Sequence, residues 1–293
     1  MGTNTFHLLI ATITKDGIQE AYRERIFVLL AENGIQTIGK APFQRALDAV
    51  VHYKKILDQY QVTKVKAFGT AALRTASNGQ ELSEQIKKTT GIEVELISGT
   101  TEAQLIYQGV QQAVPFGTKN SMIMDIGGGS VEFIIANSGG VLWAKSFPIG
   151  VAVLKNKFHQ NDPILNTEIQ AISDFLQNQL IDLKTALVNY PTHQLIGASG
   201  TFDILEKVLN IQRSSPIHST VDLTGFYPFY EKIRYSTLQE RLDMEEIPNT
   251  RAELIIVALV LIDTIIKIAN IQKVDISAYA MKEGILSEMY ANL

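Results

Sequence analysis

The sequence contains no cysteine, so it offers neither a disulfide nor a thiolate-bound metal site. This absence favours a reducing compartment, and we expect a cytoplasmic protein. No apolar run reaches the roughly 18 residues of a membrane span. The longest one, residues 254–271, is interrupted by Asp263, Lys267 and Asn270, and we interpret it as a buried helix. The first residues also lack the pattern of a signal peptide. We therefore expect neither secretion nor a membrane partner.

The sequence also lacks an excess of basic over acidic residues. The 26 basic and 30 acidic residues give a net charge of −4, whereas a dedicated nucleic-acid binder is usually basic. We therefore expect no nucleic-acid polymer as a partner. The charge of an anionic ligand would have to be balanced locally, by backbone N–H groups that point at it, a few cationic side chains or a metal ion. Candidates for a basic groove in the first half are Arg23, Arg25, Lys40, Arg45, Lys54, Lys55 and Arg74.

Apolar strands alternate with amphipathic helices along all 293 residues, which predicts an α/β architecture. With 46% apolar residues, the chain is long enough for two domains. The turn-rich segment PFGTKN, residues 115–120, is the best boundary, so the predicted domains are 1–114 and 115–293. In the second half, residues 166–189 read as one long helix. The last helix is a candidate to pack back on the first domain.

Three turns combine glycine with small hydroxyl or amide side chains beside an apolar strand. Glycine lets backbone N–H groups approach an anion closely, and Ser, Thr and Asn add donors without bulk. Phosphate oxygens are the natural partner, although an ordinary hairpin or helix-entry turn explains any one of these patterns alone. The candidate phosphate-binding residues are Gly2, Thr3, Asn4, Thr5, Gly127, Gly128, Gly129, Ser130, Ser199, Gly200 and Thr201.

Four charged residues are candidates for chemistry. Asp125 ends a strand just before the glycine triplet, where it could bind Mg²⁺ or cap the turn's own amides. Glu132, on the next strand, could join the metal site or face solvent. Arg74 suits a phosphate because its guanidinium is planar and always charged, but a surface salt bridge is the alternative. Glu102 lies near a helix N-terminus, where a carboxylate is also favoured simply by the helix dipole.

Taken in order, the motifs resemble those of the exopolyphosphatase/guanosine-pentaphosphate phosphohydrolase family. The motifs are GTNTFHLLIA, FGTAALRTASNG, ELISGTTEAQLIYQGV, MDIGGGSVEF, FPIGVAVL, IGASGT and YAMKEGILSEM. The resemblance extends through essentially the whole chain and is closest to the short, two-domain members. It implies the actin-like ATPase superfold, with two ribonuclease-H-like domains and an active site in the interdomain cleft.

The resemblance also implies a function, namely hydrolysis of the terminal phosphoanhydride of polyphosphate or guanosine pentaphosphate. Glu102 matches the family's water-activating glutamate, and Arg74 matches an arginine that contacts the phosphates. Asp125, together with Glu132, would hold Mg²⁺, with Mn²⁺ as an alternative. A monovalent cation and a homodimer are further expectations that come with the family.

Several positions depart from the family pattern. Thr101 replaces the first of two adjacent glutamates, Ala278 stands for an acid and Lys282 stands for an arginine. The family also has a strand ending in an acid just before the GTN turn. Because the turn here follows Met1 directly, we expect a missing upstream segment that would supply the central strand of the first sheet.

The residues leave three functions open. The first is a phosphoanhydride hydrolase, with Glu102, Arg74 and Asp125 as its catalytic residues. The second is an ATP-dependent small-molecule kinase on the same superfold, against which Glu102 argues. The third is a non-catalytic sensor of polyphosphate or nucleotides, suggested by the substitutions at Thr101, Ala278 and Lys282.

Overall fold

The computed structural model describes residues 1–15, 17–32, 34–209, 211 and 215–291. The first lobe contains two small sheets and three helices. Its elements are β1 (Thr5–Thr14), β2 (Gly17–Phe27), α1 (Lys40–Gln59), β3 (Ala67–Gly69), α2 (Ala71–Thr75), α3 (Gly79–Thr90) and β4 (Val94–Leu96).

The two sheets of the first lobe are paired differently. Strands β1 and β2 form an antiparallel hairpin, whereas β3 and β4 run parallel. Met1 lies beside β3, where its ammonium donates to the Phe68 carbonyl at 2.7 Å and its own carbonyl accepts from Thr70 N at 3.2 Å. Helix α1 packs on the hairpin and α3 packs on α1, so that their apolar faces form one core around Phe6, Leu82 and other buried side chains.

A long helix, α4 (Gly99–Ala113), leads to the second lobe, which is built on one larger sheet. The remaining elements are β5 (Ser121–Ile126), β6 (Val131–Asn137), β7 (Gly140–Phe147), α5 (Val151–Phe158), α6 (Asn166–Gln179), α7 (Ile181–Asn189), β8 (Gln194–Ala198), α8 (Gly200–Val208), β9 (His218–Val221), α9 (Leu223–Tyr235), α10 (Leu238–Leu242), α11 (Asn249–Ala252), α12 (Ile255–Ala269), β10 (Lys273–Ser277) and α13 (Met281–Ala291).

The large sheet is six-stranded and mixed, with the order β7-β6-β5-β8-β10-β9. Its three central strands β5, β8 and β10 are parallel, and antiparallel strands flank them on both sides. Strand residues alternate between two cores. Met122 and Phe133 face a large core that includes α12, whereas Ile123 and Ile134 face a smaller core that includes α4. The expected α/β class, with two lobes, is confirmed.

Helices α4 and α13 join the lobes. The buried side of α4 packs on the second sheet, and α13 packs on α4 and also reaches β1 and β2 of the first lobe. The exact boundary between residues 114 and 115 stays a prediction.

The prediction of one helix over residues 166–189 is wrong, because α6 ends at Gln179 and α7 begins at Ile181. Leu180 leaves the helical region (φ −96°, ψ 23°) and is fully buried. No proline or glycine marks this break in the sequence. The buried apolar helix is confirmed as α12, which is almost entirely inaccessible. Among the described residues, no helix combines the length and apolar character that crossing a bilayer requires.

Candidate active site in the cleft between the lobes

A cleft of about 940 Å³ opens where the first lobe faces the carboxyl ends of β5, β8 and β10. Side chains and turns at the carboxyl ends of parallel strands commonly form ligand sites. Most residues that the sequence predicts for the site line this cleft: Gly2, Thr3, Asn4, Thr5, Glu102, Asp125, Gly127, Gly128, Gly129, Ser130, Glu132, Ser199 and Gly200. Arg74 and Thr201 do not line it.

The glycine triplet packs directly against the first-lobe turn. A Cβ atom added to Gly128 would lie 2.6 Å from Cγ of Asn4, and one added to Gly129 would lie 2.8 Å from Oγ1 of Thr3. Both distances are far below van der Waals contact, so a side chain at either position would have to displace these groups. The triplet is therefore bare because the turns of the two lobes touch there.

Helix α5 orients the peptide groups of the triplet. The N–H groups of Val151 and Ala152, in its first turn, donate to the carbonyls of Gly127 and Gly128 at 3.0 and 2.9 Å. The N–H groups of Gly128 and Gly129 donate to no other residue within the described ranges. Backbone donors on the cleft wall that lack a protein acceptor are suited to an anion.

Ser199 has a strained backbone at the start of α8. Its φ of 99° and ψ of 164° lie in a region that is rare for residues with a side chain. The Ser199 hydroxyl accepts from Ile126 N at 3.3 Å, which links the ends of β5 and β8. Gly200 follows, and an added Cβ there would lie 2.4 Å from the Arg251 guanidinium. Thr201 lies one residue further into α8 and is buried, so its predicted role in phosphate binding stays a prediction.

Glu102 belongs to the first turn of α4, which begins with Ser98 as its N-cap residue. Its side chain is buried, with only 7% of the residue exposed. Nη1 of Arg74 lies 3.4 Å from Oε2 of Glu102 and donates to the Ile97 carbonyl at 2.7 Å. Burial raises the pKa of Glu102, and the charge of Arg74 opposes that rise. Thr101, where the family has an acid, contacts the Ser98 hydroxyl instead.

Asp125 and Glu132 add two carboxyl groups near Glu102. Burial, and then the charge of Glu102, raise the pKa of Asp125 to about 7. Burial and the charges of Glu102 and Asp125 raise the pKa of Glu132 well above its usual range. The hydroxyls of Ser130 and Ser146 donate to Oε1 of Glu132 at 2.6 and 2.7 Å. The three acids repel one another, so this part of the cleft favours a bound cation.

The donor chemistry of this acidic group fits a divalent ion of the magnesium type, which takes oxygen ligands. In the part of the chain that the structure describes, however, no three acidic or histidine side chains converge as a cage for a metal. Mg²⁺ commonly uses one or two carboxylates and completes its shell with water and substrate phosphates. Asp125 and Glu132 meet that lesser requirement.

Sequence reasoning missed part of the positive charge in the cleft. Arg251, from the short helix α11, and Lys282, from α13, line the cleft together with Arg25 of β2. Their effect is visible at His7, whose pKa is lowered to about 3 by burial and by the nearby cations. Arg25 was among the basic-groove candidates. Arg251 was not, because its sequence context has neither a glycine turn nor a strand end.

Among the other groove candidates, Arg23 also lines the cleft. Arg45 donates instead to the Val28 carbonyl and to Glu32, and Lys54 pairs with Asp58 on the exposed side of α1. These last two are contacts of a solvated surface.

A sequence profile described as the Ppx/GppA phosphatase family matches residues 9–293. The chain belongs to this family. A solved exopolyphosphatase from Cytophaga hutchinsonii is 38% identical, and the match covers 100% of this chain and 96% of that one with a TM-score of 0.96. The Aquifex aeolicus Ppx/GppA family member is 23% identical with a TM-score of 0.81, which shows the shared fold.

Two curated relatives show how the chain compares in length. The guanosine-5'-triphosphate,3'-diphosphate pyrophosphatase of Photobacterium profundum is 25% identical over all of this chain, which spans only 59% of that protein. Exopolyphosphatase 1 of Mycobacterium leprae is 24% identical, over 98% of this chain and 86% of its own length. The family resemblance predicted from the motifs is thus confirmed.

Proposed function

We propose that this protein hydrolyses terminal phosphoanhydride bonds and releases orthophosphate from inorganic polyphosphate, guanosine pentaphosphate or both. The observation that carries the proposal is the meeting of the Thr3–Asn4 turn with the glycine triplet, beside the buried carboxylate of Glu102. The names of the relatives agree with this chemistry.

Substrate binding would use backbone donors and cationic side chains together. The free N–H groups of Gly128 and Gly129 and the first turn of α8 at Gly200 provide donors that need no proton transfer. Arg25, Arg251 and Lys282 would balance the charge of the phosphate chain. This local positive charge explains how a chain with a net charge of −4 can bind a polyanion.

Glu102 would act as the general base. Its Oε atom takes a proton from water as the water oxygen attacks the terminal phosphorus, and the bond from phosphorus to the bridging oxygen breaks. The pKa raised by burial makes the carboxylate a better proton acceptor. Arg74 holds Oε2 and the Ile97 carbonyl at once, which restricts the rotation of the glutamate. Arg74 would thus act by positioning the base as well as by its charge.

Mg²⁺, or Mn²⁺ in its place, is the proposed cofactor, and a monovalent cation is a further candidate. Asp125 and Glu132 would hold the divalent ion, which would neutralise charge on the transferred phosphoryl group. Burial, and then the charge of Glu102, raise the pKa values of Asp125 and Glu132, so a bound cation would stabilise their ionised forms, which supports this role.

A cytoplasmic location and a homodimer are part of the proposal. The cysteine-free composition supports the first, and only the family resemblance supports the second. Light scattering coupled to size-exclusion chromatography would test the dimer, because one subunit has a mass of 32.4 kDa.

A substrate panel tests the proposed function. Phosphate release should be measured with long-chain polyphosphate, guanosine pentaphosphate and ATP, each with and without Mg²⁺. We expect metal-dependent release of orthophosphate from at least one of the first two. Transfer of radiolabel from ATP to a small-molecule acceptor, without hydrolysis, would favour the kinase. Tight binding of polyphosphate without release of orthophosphate would favour the sensor. That alternative is suggested by Ala278, which lines the cleft where the family pattern has an acid.

A further inference from the structure

Helices α4 and α13 cross with their backbones in direct contact. A Cβ added to Gly109 of α4 would lie 1.8 Å from the Ala280 carbonyl oxygen and 3.0 Å from the Gly284 nitrogen. A Cβ added to Gly284 of α13 would lie 1.8 Å from the Leu105 carbonyl oxygen and 3.0 Å from the Gly109 nitrogen. The contact is therefore reciprocal, and a side chain on either helix would collide with the backbone of the other.

Both helices carry cleft residues close to this crossing. Glu102 precedes Gly109 by two turns of α4, or roughly 10 Å along the helix axis. Lys282 precedes Gly284 by two residues on α13 and lines the same cleft. The separation of the two helix axes at the crossing thus influences how far the Glu102 carboxylate lies from the Lys282 ammonium.

Each helix is also tied to a different part of the first lobe. At the start of α13, Glu283 pairs with Arg23 of β2 at 3.1 Å, and near its end the Tyr290 hydroxyl donates to the Lys15 carbonyl at 3.2 Å. At the start of α4, Glu102 pairs with Arg74. We therefore expect α13 to move together with the β1–β2 hairpin, and the Glu102 end of α4 to move together with α2.

The second lobe limits the movement of α4 from the other side. A Cβ added to Gly99 would lie 2.7 Å from Cβ of Ser146, the residue whose hydroxyl donates to Glu132. The first turn of α4 is therefore confined between Arg74 and β7. If α4 is displaced at the crossing, its confined first turn leaves few ways to absorb the displacement without moving Glu102.

We propose that the Gly109–Gly284 crossing is a positioning contact, which sets the placement of Glu102 relative to Lys282 in the cleft. The inference rests on the proposed function, because it assigns the crossing to the geometry of that same site. A methyl group at either glycine would force the helices apart by roughly 1.5 Å, the difference between 1.8 Å and ordinary contact. Displacements of about 1 Å can lower catalytic rates about 100-fold.

The test compares Gly109→Ala and Gly284→Ala with Gly225→Ala as a matched control. Gly225 lies inside α9, and its added Cβ would meet only the end of the Leu209 side chain at 3.3 Å. We expect kcat for phosphate release to fall about 10- to 100-fold in the first two variants, with KM changed less than about threefold. Gly225→Ala should keep the wild-type kcat. A purely structural role would lower the unfolding temperature and leave kcat per folded molecule unchanged, which would overturn the proposal.

Crystal structures of both alanine variants give a readout that does not depend on activity. We expect a wider α4–α13 separation and a longer distance from Glu102 to Lys282. If wild-type protein releases no phosphate from any substrate, the proposed function fails, but this displacement still decides whether the crossing positions Glu102. An unchanged Glu102 position would overturn the inference alone.

A milder variant covers the case in which the alanine variants do not fold. Tyr290→Phe removes only the hydroxyl that ties the end of α13 to Lys15, on a side chain that is 39% exposed. We expect a fall in kcat of about two- to fivefold at unchanged KM, since α13 is loosened but not displaced. Wild-type kcat in Tyr290→Phe would then count against the proposal.

Discussion

Nη1 of Arg74 lies 3.4 Å from Oε2 of Glu102, although 28 residues separate them in the sequence. The same nitrogen donates to the Ile97 carbonyl at 2.7 Å, just before the N-cap of α4. Both partners are largely withdrawn from solvent, with 30% and 9% of their side chains exposed. The guanidinium thus connects α2 to the start of the helix that carries the proposed base.

The first prediction concerns this contact. Arg74→Lys should lower kcat about tenfold, because the shorter lysine side chain cannot place its ammonium where Nη1 now contacts both the Ile97 carbonyl and Oε2 of Glu102. The pKa of Glu102 should also rise, because the shorter, more mobile lysine would hold its charge farther from Oε2 and lose the hydrogen bond by which Arg74 now lowers that pKa. The acidic limb of the pH–rate profile should therefore move to higher pH.

Arg45→Lys is the matched control for Arg74→Lys. Arg45 also donates to one backbone carbonyl, that of Val28, and to one carboxylate, that of Glu32, but it lies outside the cleft. Its substitution should leave the pH–rate profile unchanged. Equal effects of the two substitutions would argue against a positioning role for Arg74.

The second prediction concerns the contact between the turns of the two lobes. Gly128→Ala would place a methyl group about 2.6 Å from the end of the Asn4 side chain, so that side chain or one of the two turns must move. We expect KM for polyphosphate to rise on the order of tenfold, since the backbone donors no longer point at one position. Steady-state kinetics over a range of polyphosphate concentrations measures this change.

Gly117→Ala is its control, because an added Cβ there meets nothing within 4 Å. The control should bind polyphosphate like the wild type. If Gly128→Ala also kept the wild-type KM, the turns would not form the phosphate-binding surface.

The third prediction is a pH dependence of stability that arises from Asp125. Unfolded aspartates titrate near pH 3.9, whereas the pKa of Asp125 in the folded protein is about 7. Between these values Asp125 binds more protons in the folded state, so its contribution to the free energy of unfolding falls as pH rises from about 4 to 7. Each pKa unit corresponds to about 1.4 kcal/mol, as an upper limit for this half-buried group.

Thermal unfolding of the metal-free protein at pH 5 and pH 8 measures this effect. Asp125→Asn should show a smaller difference between the two pH values than the wild type. Mg²⁺ should restore stability at pH 8 in the wild type and less so in the variant. If stability depended on pH equally in wild type and Asp125→Asn, the raised pKa of Asp125 would not be the cause of that dependence.

Local patterns in the sequence predicted well which turns line the cleft, because glycine beside an apolar strand indicates an exposed backbone whatever the rest of the chain does. Gly127–Gly129 and the Gly2–Thr5 turn both line the cleft. The sequence could not predict that Gly128 touches Asn4. That contact depends on how the two lobes come together, and no local pattern encodes it.

Features that depend on long-range packing were harder to predict from the sequence. Arg251 reaches the cleft from a four-residue helix and packs against Gly200, about fifty positions away in sequence. The break at Leu180 was also hidden, because an inward-facing leucine fits an unbroken helical pattern as well as an interrupted one. In both cases long-range packing, and not local preference, determines the structure.

The most direct test of the account is phosphate release by Glu102→Gln. Glutamine keeps the size and a hydrogen-bond acceptor for Arg74 but takes no proton from water, so kcat should fall on the order of 1,000-fold while polyphosphate still binds. Glu84→Gln, on the exposed face of α3, should retain the wild-type rate. A folded Glu102→Gln protein that releases phosphate within about twofold of the wild-type rate would contradict the assignment of the base, and with it the central claim.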